Sequence, residues 1–360
     1  MPGKSLCDRP PGGKLSRGPV WVAFAICVAA LVVAQAVSTV GAQPVPAMSE
    51  TEMLDYLVQS ACIDGAGKLT DRLPIDPDCK TMRHLREDDA LPWRKHDWGG
   101  VGGAVTGWQA SDAVLAERSG VSFADQTFDF GAPAADPAGR PDAFYRFDTN
   151  DGGDAVMILG DTVSAFLTQD GGTPGLQWFV GPRCSEPGRG RYLSWFLFKA
   201  DAGPEWRSVV AELGDLPKDA CPQRFNHAFT RYRRVTEDFP FQHIVGNGAP
   251  LRRTASLPTI IVEHFDAASI ARAHALERFY YVRGFGKLRW EAWVTDPAKA
   301  SQAETLAHSG RCAALTDSGP PADGWRMVDC RMWTNIVVDP THAGWRVRDF
   351  NWPPADLTLQ

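Results

Sequence analysis

The sequence predicts a mainly β fold, an antiparallel β-sandwich of the jelly-roll or concanavalin-like type. From residue 121 onward, short runs rich in β-branched and aromatic residues are separated by Gly, Asp and Pro, which favour turns. Such spacing is typical of sandwiches and barrels. The predicted strands cover residues 143–147, 155–159, 162–168, 176–180, 192–198, 225–235, 259–265 and 332–338, with a hairpin over 277–293.

A short helical and irregular segment, residues 43–110, is expected to pack on the sandwich domain, residues 111–360. Ser49-Glu50-Thr51-Glu52 has the pattern of a capping box and predicts a helix that ends near Cys62. Residues 63–110 carry scattered Pro and Gly and are interpreted as irregular. Within this segment, residues 92–100 favour a loop that is held by buried tryptophans. A pocket lined by those tryptophans is the alternative.

A second helix is predicted over residues 204–213, inside the sandwich domain. Its apolar residues recur at helical spacing, and Gly214 follows as a stop signal. The fold class therefore includes one or two helices beyond the amino-terminal segment.

Residues 1–42 have the pattern of a signal peptide. Four basic residues precede an apolar run over 20–33, and small residues before Gln43 suit cleavage. The same stretch is long enough to serve as an uncleaved anchor, which is the alternative. After cleavage no stable membrane span is expected. The Ala-, Arg- and Trp-rich composition favours a GC-rich bacterium, with the protein in the periplasm or secreted.

Six cysteines follow the predicted signal peptide, and an even number in an exported chain indicates disulfide bonds. The sequential pairing is favoured because each bridge closes a modest loop that contains Pro or Gly. A zinc site is disfavoured, since the sequence has no Cys-x-x-Cys pair. The predicted bridges are Cys62–Cys79, Cys184–Cys221 and Cys312–Cys330.

Charge and motifs exclude several function classes. The formal net charge is −6 and the basic residues are scattered, so nucleic acid is an improbable partner. The sequence has no Gly-x-Ser-x-Gly elbow, no phosphate loop and no His-Glu-x-x-His helix. A serine triad without a local signature stays open. The aromatic load of 13 Trp, 18 Phe and 6 Tyr suits a polysaccharide or oligosaccharide as partner.

The hairpin over 277–293 carries the densest group of candidate site residues. With Gly284-Phe285-Gly286 as the turn, Tyr281 would pair with Arg289 and Phe279 with Glu291. Charge and aromatic surface would then share one face, opposite a mostly apolar face. The residues of this predicted face are Glu277, Phe279, Tyr281, Arg283, Lys287, Arg289, Glu291 and Trp293.

This face suits a glycan-binding site that is also a candidate for catalysis. Glu277 and Glu291 would be diagonal neighbours, roughly 7–8 Å apart, which fits the carboxyl pair of a glycosidase. The alternative is that both carboxylates form cross-strand ion pairs. Elimination of an anionic glycan would instead use Tyr281 and His264 to move protons. His264 shares a face with apolar neighbours, so a half-buried structural histidine is the other interpretation.

The remaining residues of the face are candidates for ligand binding. Three cations, Arg283, Lys287 and Arg289, would neutralise uronate groups, and two rings, Phe279 and Trp293, would stack on sugars. The run from Tyr281 to Gly286, Tyr-x-Arg-Gly-x-Gly, loosely resembles strand motifs of jelly-roll alginate lyases, although no second motif of that family is present. The resemblance implies a jelly-roll fold and polysaccharide elimination.

No cofactor is predicted, with one weak alternative. Residues 148–154 are rich in Asp and Asn, which suits either a hairpin turn or a structural calcium ion held near Asp148, Asn150 and Asp154. Leu159 stands where an EF-hand requires Glu, which favours the turn. The sequence thus predicts an exported, disulfide-stabilised protein that binds or degrades polysaccharide. The alternative is a noncatalytic envelope protein, either glycan-binding or structural.

Overall fold

The described part of the chain is mainly β, with a large sheet and two short helices. The computed structural model describes residues 46–86, 89–91, 93–98, 107–109, 111–118, 121–128, 143–144, 154–167, 195–210, 229–246, 248–309, 312, 314–317, 319–339 and 345–347. The chain divides into two compact units, Met1–Pro44 and Val45–Gln360, and every described residue belongs to the second. No helix in these ranges has the length and apolar character needed to cross a membrane.

The helices are α1 (Glu50–Leu57) and α2 (Ala300–Ser309). The strands are β1 (Ser60–Cys62), β2 (Met82–His84), β3 (Ala90–Leu91), β4 (Trp93–Trp98), β5 (Gly107–Gln109), β6 (Ser111–Arg118), β7 (Val121–Phe128), β8 (Ala143–Phe144), β9 (Asp154–Leu159), β10 (Thr162–Leu167), β11 (Trp195–Lys199), β12 (Arg207–Val210), β13 (Phe229–Val245), β14 (Leu251–Phe265), β15 (Ala275–Val282), β16 (Gly286–Val294), β17 (Arg326–Met332), β18 (Asn335–Asp339) and β19 (Trp345–Val347).

The strands form one large sheet and three smaller ones. The large sheet has nine strands, in the order β17-β16-β15-β14-β13-β18-β4-β5, with β12 also paired to β13. Its pairs are antiparallel except β13 with β18. A five-stranded sheet has the order β11-β10-β9-β7-β6, a three-stranded sheet β3-β19-β8, and β1 pairs with β2. The centre of the large sheet is a meander, because β13 to β17 pair in chain order.

Helix α1 begins with the predicted capping box. The Ser49 hydroxyl accepts a hydrogen bond from the Glu52 N–H at 3.2 Å, and the Glu52 carboxylate accepts from the Ser49 N–H at 2.8 Å. Two orphan N–H groups of the first turn are thereby satisfied. The helix ends at Leu57, earlier than predicted, because Val58 is already extended and leads into β1.

The two faces of the large sheet are covered by different apolar clusters. One cluster joins α1 and side chains of the five-stranded sheet, such as Phe198, to Val262 and Tyr281 of the large sheet. The other lies on the opposite face and contains Ile261 and Tyr280. Neighbouring residues enter different clusters because side chains alternate along a strand.

Two local predictions are wrong. Residues 207–210 form strand β12 rather than part of a helix, because their backbone pairs with the edge of β13. Residues 93–98 form strand β4 rather than a loop, and β4 pairs with β18 and β5. In both segments an available strand edge outweighs the local sequence preference.

Other strand predictions hold with shifted bounds. The structure confirms strands over 155–159, 259–265 and most of 162–168, whereas the predicted strand 332–338 is split between β17 and β18. The predicted strand 176–180 lies outside the described residues. The two longest strands, β13 and β14, extend well beyond the segments 225–235 and 259–265.

Two of the three predicted disulfides are confirmed. Cys62–Cys79 closes a loop between β1 and β2, and Cys312–Cys330 ties the segment before β17 to that strand. Cys184 and Cys221 lie outside the described residues, and so does the predicted signal peptide 1–42.

Removal of the first bridge by Cys62→Ala with Cys79→Ala is expected to lower the free energy of unfolding by about 3 kcal/mol. The bridge spans a sequence separation of 17, and loss of such a closed loop gives the unfolded chain more conformational entropy. Urea unfolding measures the change, with peptide mapping as the control that Cys312–Cys330 remains formed. An unchanged urea midpoint would contradict the prediction.

Candidate functional site

The hairpin that carries most of the predicted site residues has a different register from the predicted one. Val282 pairs with Gly286 and Tyr281 with Lys287, so the turn is Arg283-Gly284-Phe285. A bulge then inserts Leu288, after which Tyr280 pairs with Arg289. The predicted register is therefore wrong, since the turn starts one residue earlier and the bulge changes the alternation of β16.

The new register separates the predicted face into two. Four of the residues, Glu277, Phe279, Tyr281 and Lys287, lie on the face that also carries His264, towards the cluster with Phe198. Three others, Arg289, Glu291 and Trp293, lie on the opposite face together with Arg278 and Tyr280. Arg283 belongs to the turn. The structure thus brings His264 and Glu277 together, but not Glu277 and Glu291.

Glu291 is fully buried and accepts four hydrogen bonds. The donors to its Oε1 are Arg289 Nε at 2.7 Å and the Tyr280 hydroxyl at 3.0 Å. The donors to its Oε2 are Trp293 Nε1 at 2.8 Å and Arg278 Nη1 at 3.0 Å. Burial and the Glu291 carboxylate raise the pKa of Tyr280 well above its ordinary value, which keeps that hydroxyl protonated as a donor.

Arg278 connects Glu291 to a second buried carboxylate, Glu263. Arg278 Nε donates to Glu263 Oε1 at 2.7 Å, its Nη2 donates to the Gly319 carbonyl at 2.9 Å, and its guanidinium lies 5.0 Å from the Trp293 ring. Arg231 also forms an ion pair with Glu263. The alternation of charge and the burial of both carboxylates make this network a structural element, since neither carboxylate is open to a substrate.

On the other face, three polar residues form a row across adjacent strands. Thr230 pairs with His264, and His264 pairs with Glu277, so the three side chains point the same way. The Thr230 hydroxyl lies 3.0 Å from His264 Nδ1, and the His264 ring meets Phe279 edge-on at 5.5 Å. His264 is 1% exposed, so this row faces the interior.

An open cleft lies at the tip of the hairpin, where sequence reasoning placed only Arg283. Its volume is about 600 Å³, within the usual range for ligand sites. It is lined by α1, β1, β2, the loop between them, β14 and the hairpin turn. The polar lining residues are Asp55, Ser60, Arg83, His84 and Arg283.

Asp55 organises the polar wall of this cleft. Its Oδ2 accepts from Arg283 Nη2 at 2.7 Å and Nε at 3.1 Å, and its Oδ1 lies 2.9 Å from His84 Nε2. This carboxylate raises the pKa of Arg283 further above its ordinary value. Arg83, on the same strand as His84, forms a two-pronged ion pair with Asp89.

Gly284 fixes the turn against the cleft. Its N–H donates to the Asp55 carbonyl at 2.7 Å, and its carbonyl accepts from the Ser60 N–H at 2.9 Å. With a φ of 80°, the position favours glycine, and an added Cβ would lie 3.7 Å from Ser60 Oγ. The sequence signal for the cleft is therefore the Arg-Gly of the turn. His84 gave none because β2 lies in the segment interpreted as irregular, and Asp55 gave none because it is an ordinary polar residue of the predicted helix.

A third buried carboxylate, Glu237 of β13, lies under the segment before β17. Its Oε1 accepts from the Asp317 N–H at 2.9 Å, and Arg233 lies 3.5 Å from the Asp317 carboxylate. Burial raises the pKa of Glu237 to about 7, and the backbone N–H groups of Asp317 and Thr316 oppose part of that rise.

Glu291→Gln is expected to destabilise the protein by about 3–5 kcal/mol, because it removes the charge that compensates buried Arg278 and Arg289. Urea unfolding at neutral pH measures the change. Glu304→Gln, on the exposed side of α2, is the matched control and should stay near the wild-type value. A Glu291→Gln variant as stable as the control would show that the network contributes little.

The buried Glu237 is expected to make stability fall as pH rises from about 4.5 to about 7, because the folded state holds the proton more tightly than the unfolded chain. Glu237→Gln mimics the protonated side chain. The variant should match wild type at pH 4 and exceed it at pH 8 by up to about 3 kcal/mol in urea unfolding. Equal stabilities at pH 8 would contradict this assignment.

Among the residues whose placement is described, no group of three or more His, Cys, Asp or Glu side chains could hold a metal ion. Asp148 and Asn150, the core of the calcium alternative, lie outside those residues, and Asp154 begins β9. No family model, no curated protein and no solved structure matches the chain.

Proposed function

We propose that the protein is an exported, disulfide-stabilised protein that binds an acidic polysaccharide in the cleft at the hairpin tip. The observation that carries the proposal is the convergence of Arg83, His84 and Arg283 on one open cleft of about 600 Å³. Guanidinium groups match carboxylate, sulfate and phosphate groups with paired hydrogen bonds. An acidic glycan presents such groups at regular intervals.

The rest of the cleft lining suits a sugar chain. Ile75, Pro258 and Phe285 give it apolar surface, on which the C–H faces of sugar rings can pack. The side chain of Arg283 is 52% exposed, so a ligand carboxylate can reach its guanidinium. Nε and Nη2 stay on Asp55, and Nη1, which takes no part in that ion pair, can donate to the anion.

Binding without glycoside hydrolysis is the better-supported form of this proposal. The carboxylate pair that the sequence predicted, Glu277 and Glu291, is divided between two faces of the sheet, and Glu291 accepts from four donors. A glycosidase needs two carboxyl groups on either side of one bond.

A β-eliminating lyase is the second candidate, and one observation favours it. His264 lies directly opposite Glu277 with its Nδ1 at 3.0 Å from the Thr230 hydroxyl, and Tyr281 lies on the same face. A carboxylate, an imidazole and a phenol are the groups that elimination requires. For this activity, a polysaccharide must reach the space between the large sheet and the five-stranded sheet and helix α1 that pack on this face.

The proposed architecture is a two-layer sandwich with jelly-roll or concanavalin-like connections. Support comes from the cluster in which Val163 and Phe198 of the five-stranded sheet pack with Val262 and Tyr281 of the large sheet. In such a sandwich the hairpin tip lies at an end of the layers, where binding loops of β-sandwiches commonly cluster.

The oxidised protein is expected to bind polygalacturonate, measured by calorimetry, and not the neutral glucan dextran. Arg283→Ala should weaken binding about 10-fold or more, because it removes a charged donor worth at least ~1.4 kcal/mol. Arg272→Ala, an exposed arginine of the short helix Ile270–Arg272, is the matched control and should bind like wild type. Equal affinity of both variants would place the site elsewhere.

Mass spectrometry of the incubated polysaccharide separates binding from turnover. Intact glycan with measurable affinity supports the binding protein. Unsaturated fragments, lighter by one water, would support the lyase, and His264→Ala should then abolish them. Saturated fragments would indicate hydrolysis, and an absence of both binding and products would overturn the proposal.

A further inference from the structure

We infer that Ser60, His84 and Asp55 form a nucleophile, base and orienting group that hydrolyse acyl esters in the cleft. The site chemistry rests on these three residues and on Arg283, which lines the same cleft. The assignment of O-acyl groups on a polysaccharide as the natural substrate rests on the proposed function. The three residues come from three elements, β1, β2 and α1, and all line the same open space.

The Asp55 carboxylate sets the tautomer of His84. Its Oδ1 lies 2.9 Å from Nε2, and an ionised carboxylate can only accept a hydrogen bond. Nε2 must therefore carry the proton, which leaves Nδ1 of the neutral ring with a lone pair. An imidazole held in this way by a carboxylate is the base of a serine hydrolase, here with the roles of the two ring nitrogens exchanged.

The strand register brings the Ser60 side chain next to the His84 side chain. Ser60 and His84 are direct partners in the β1–β2 pair, so their side chains point the same way. The Leu85 N–H donates to the Gln59 carbonyl, and the Ser60 N–H donates to Gly284 instead of to His84. Ser60 and His84 therefore form a non-hydrogen-bonded pair, the closer of the two antiparallel types. The inference requires rotation about χ1 of Ser60 to bring its hydroxyl within hydrogen-bond distance of Nδ1.

Arg283 supplies positive charge for the oxyanion. Its Nε and Nη2 donate to Asp55, and Nη1 takes no part in that ion pair. The guanidinium is tied to the same carboxylate that orients His84, which keeps the cation and the base in one fixed group. A cation beside the reacting carbonyl stabilises the charge that develops in the tetrahedral intermediate.

The reaction needs only water besides the ester. Ser60 Oγ attacks the carbonyl carbon, and its proton passes to His84 Nδ1. The bond from the carbonyl carbon to the alcohol oxygen then breaks, and His84 gives its proton to the leaving alkoxide. The oxygen of a water molecule then attacks the acyl carbon as His84 takes a proton from it. The bond from the acyl carbon to Ser60 Oγ breaks, His84 returns the proton to Oγ, and the carboxylic acid leaves.

Hydrolysis of 4-nitrophenyl acetate by the oxidised protein tests this inference. Ser60→Ala and Asp55→Asn should each lower the turnover number about 100-fold or more, since both the nucleophile and the oriented base are needed. Ser208→Ala, an exposed serine of β12, is the matched control and should keep the wild-type rate. Thermal unfolding shows which variants are folded.

A fluorophosphonate probe gives a second test that needs no variant. Peptide mapping of the wild-type protein should find the probe on Ser60 and not on Ser208. No hydrolysis above the buffer rate, or no adduct on Ser60, would overturn the inference. Polygalacturonate binding on the same sample keeps the two proposals apart. Polygalacturonate binding without ester hydrolysis would overturn the esterase inference and leave the proposed function standing. Ester hydrolysis without polygalacturonate binding would overturn only the assignment of a polysaccharide as the substrate.

Discussion

A row of alternating charges through the centre of the large sheet is the constraint on which the rest of the structure depends. Arg231, Glu263, Arg278 and Glu291 are successive partners across β13, β14, β15 and β16. Each ion pair is thus a cross-strand pair, and the carboxylates are fully buried. A slip of any strand by one residue would leave a buried charge without its partner, which costs several kcal/mol. The row therefore fixes the register of four strands together.

The row also explains the position of the second disulfide. Glu291 pairs with Cys330 of β17, so the bridge to Cys312 stands at the end of the row of charges. The tethered segment returns over the same face, where the Gly319 carbonyl accepts from Arg278 and the Asp317 N–H donates to Glu237. Backbone groups of this segment thereby satisfy buried polar atoms of the sheet, as buried charge requires.

Local signals in the sequence predicted local features correctly. The capping box at Ser49 and the cysteine pairs with a short separation need only neighbouring residues, and both were confirmed. The register of the hairpin failed because the bulge at Leu288 has no sequence signature, and one extra residue reverses the alternation of β16 beyond it. Burial of Glu291 could not be predicted either, since its compensating donors become neighbours only after this reversal.

Contacts between residues that are far apart in the sequence could not be predicted either, because they form only when distant strands pair. Asp55 and His84 are 29 residues apart, and they meet only because β1 and β2 pair between α1 and the hairpin turn. Arg283 was predicted as a site residue because the two glycines that follow it, Gly284 and Gly286, indicate a turn in the sequence itself. The helix predicted over 204–213 is wrong for a related reason. Residues 207–210 pair with the edge of β13, and the presence of that edge cannot be seen in the local sequence.

The hairpin connects the row of charges to the cleft. Arg278 lies in the middle of β15, and Arg283 follows five residues further on, roughly 16 Å away at the rise of a strand. Because the row fixes the register of β15 and β16, it also fixes where the turn emerges and where Gly284 meets Asp55 and Ser60.

The wall of the cleft that faces the hairpin turn is the loop between β1 and β2, and bonds outside the row of charges fix its position. Cys62–Cys79 closes the loop that carries Ile75, and Arg253 of β14 donates to the Ile75 carbonyl at 2.9 Å and pairs with Asp76 at 2.8 Å. Both walls are thus fixed by buried or covalent bonds, while the Arg283 side chain at the cleft is half exposed. Ligand binding in the cleft therefore requires only side chains to move. The entropy cost of ordering the backbone is not part of the binding free energy, because folding has already ordered it.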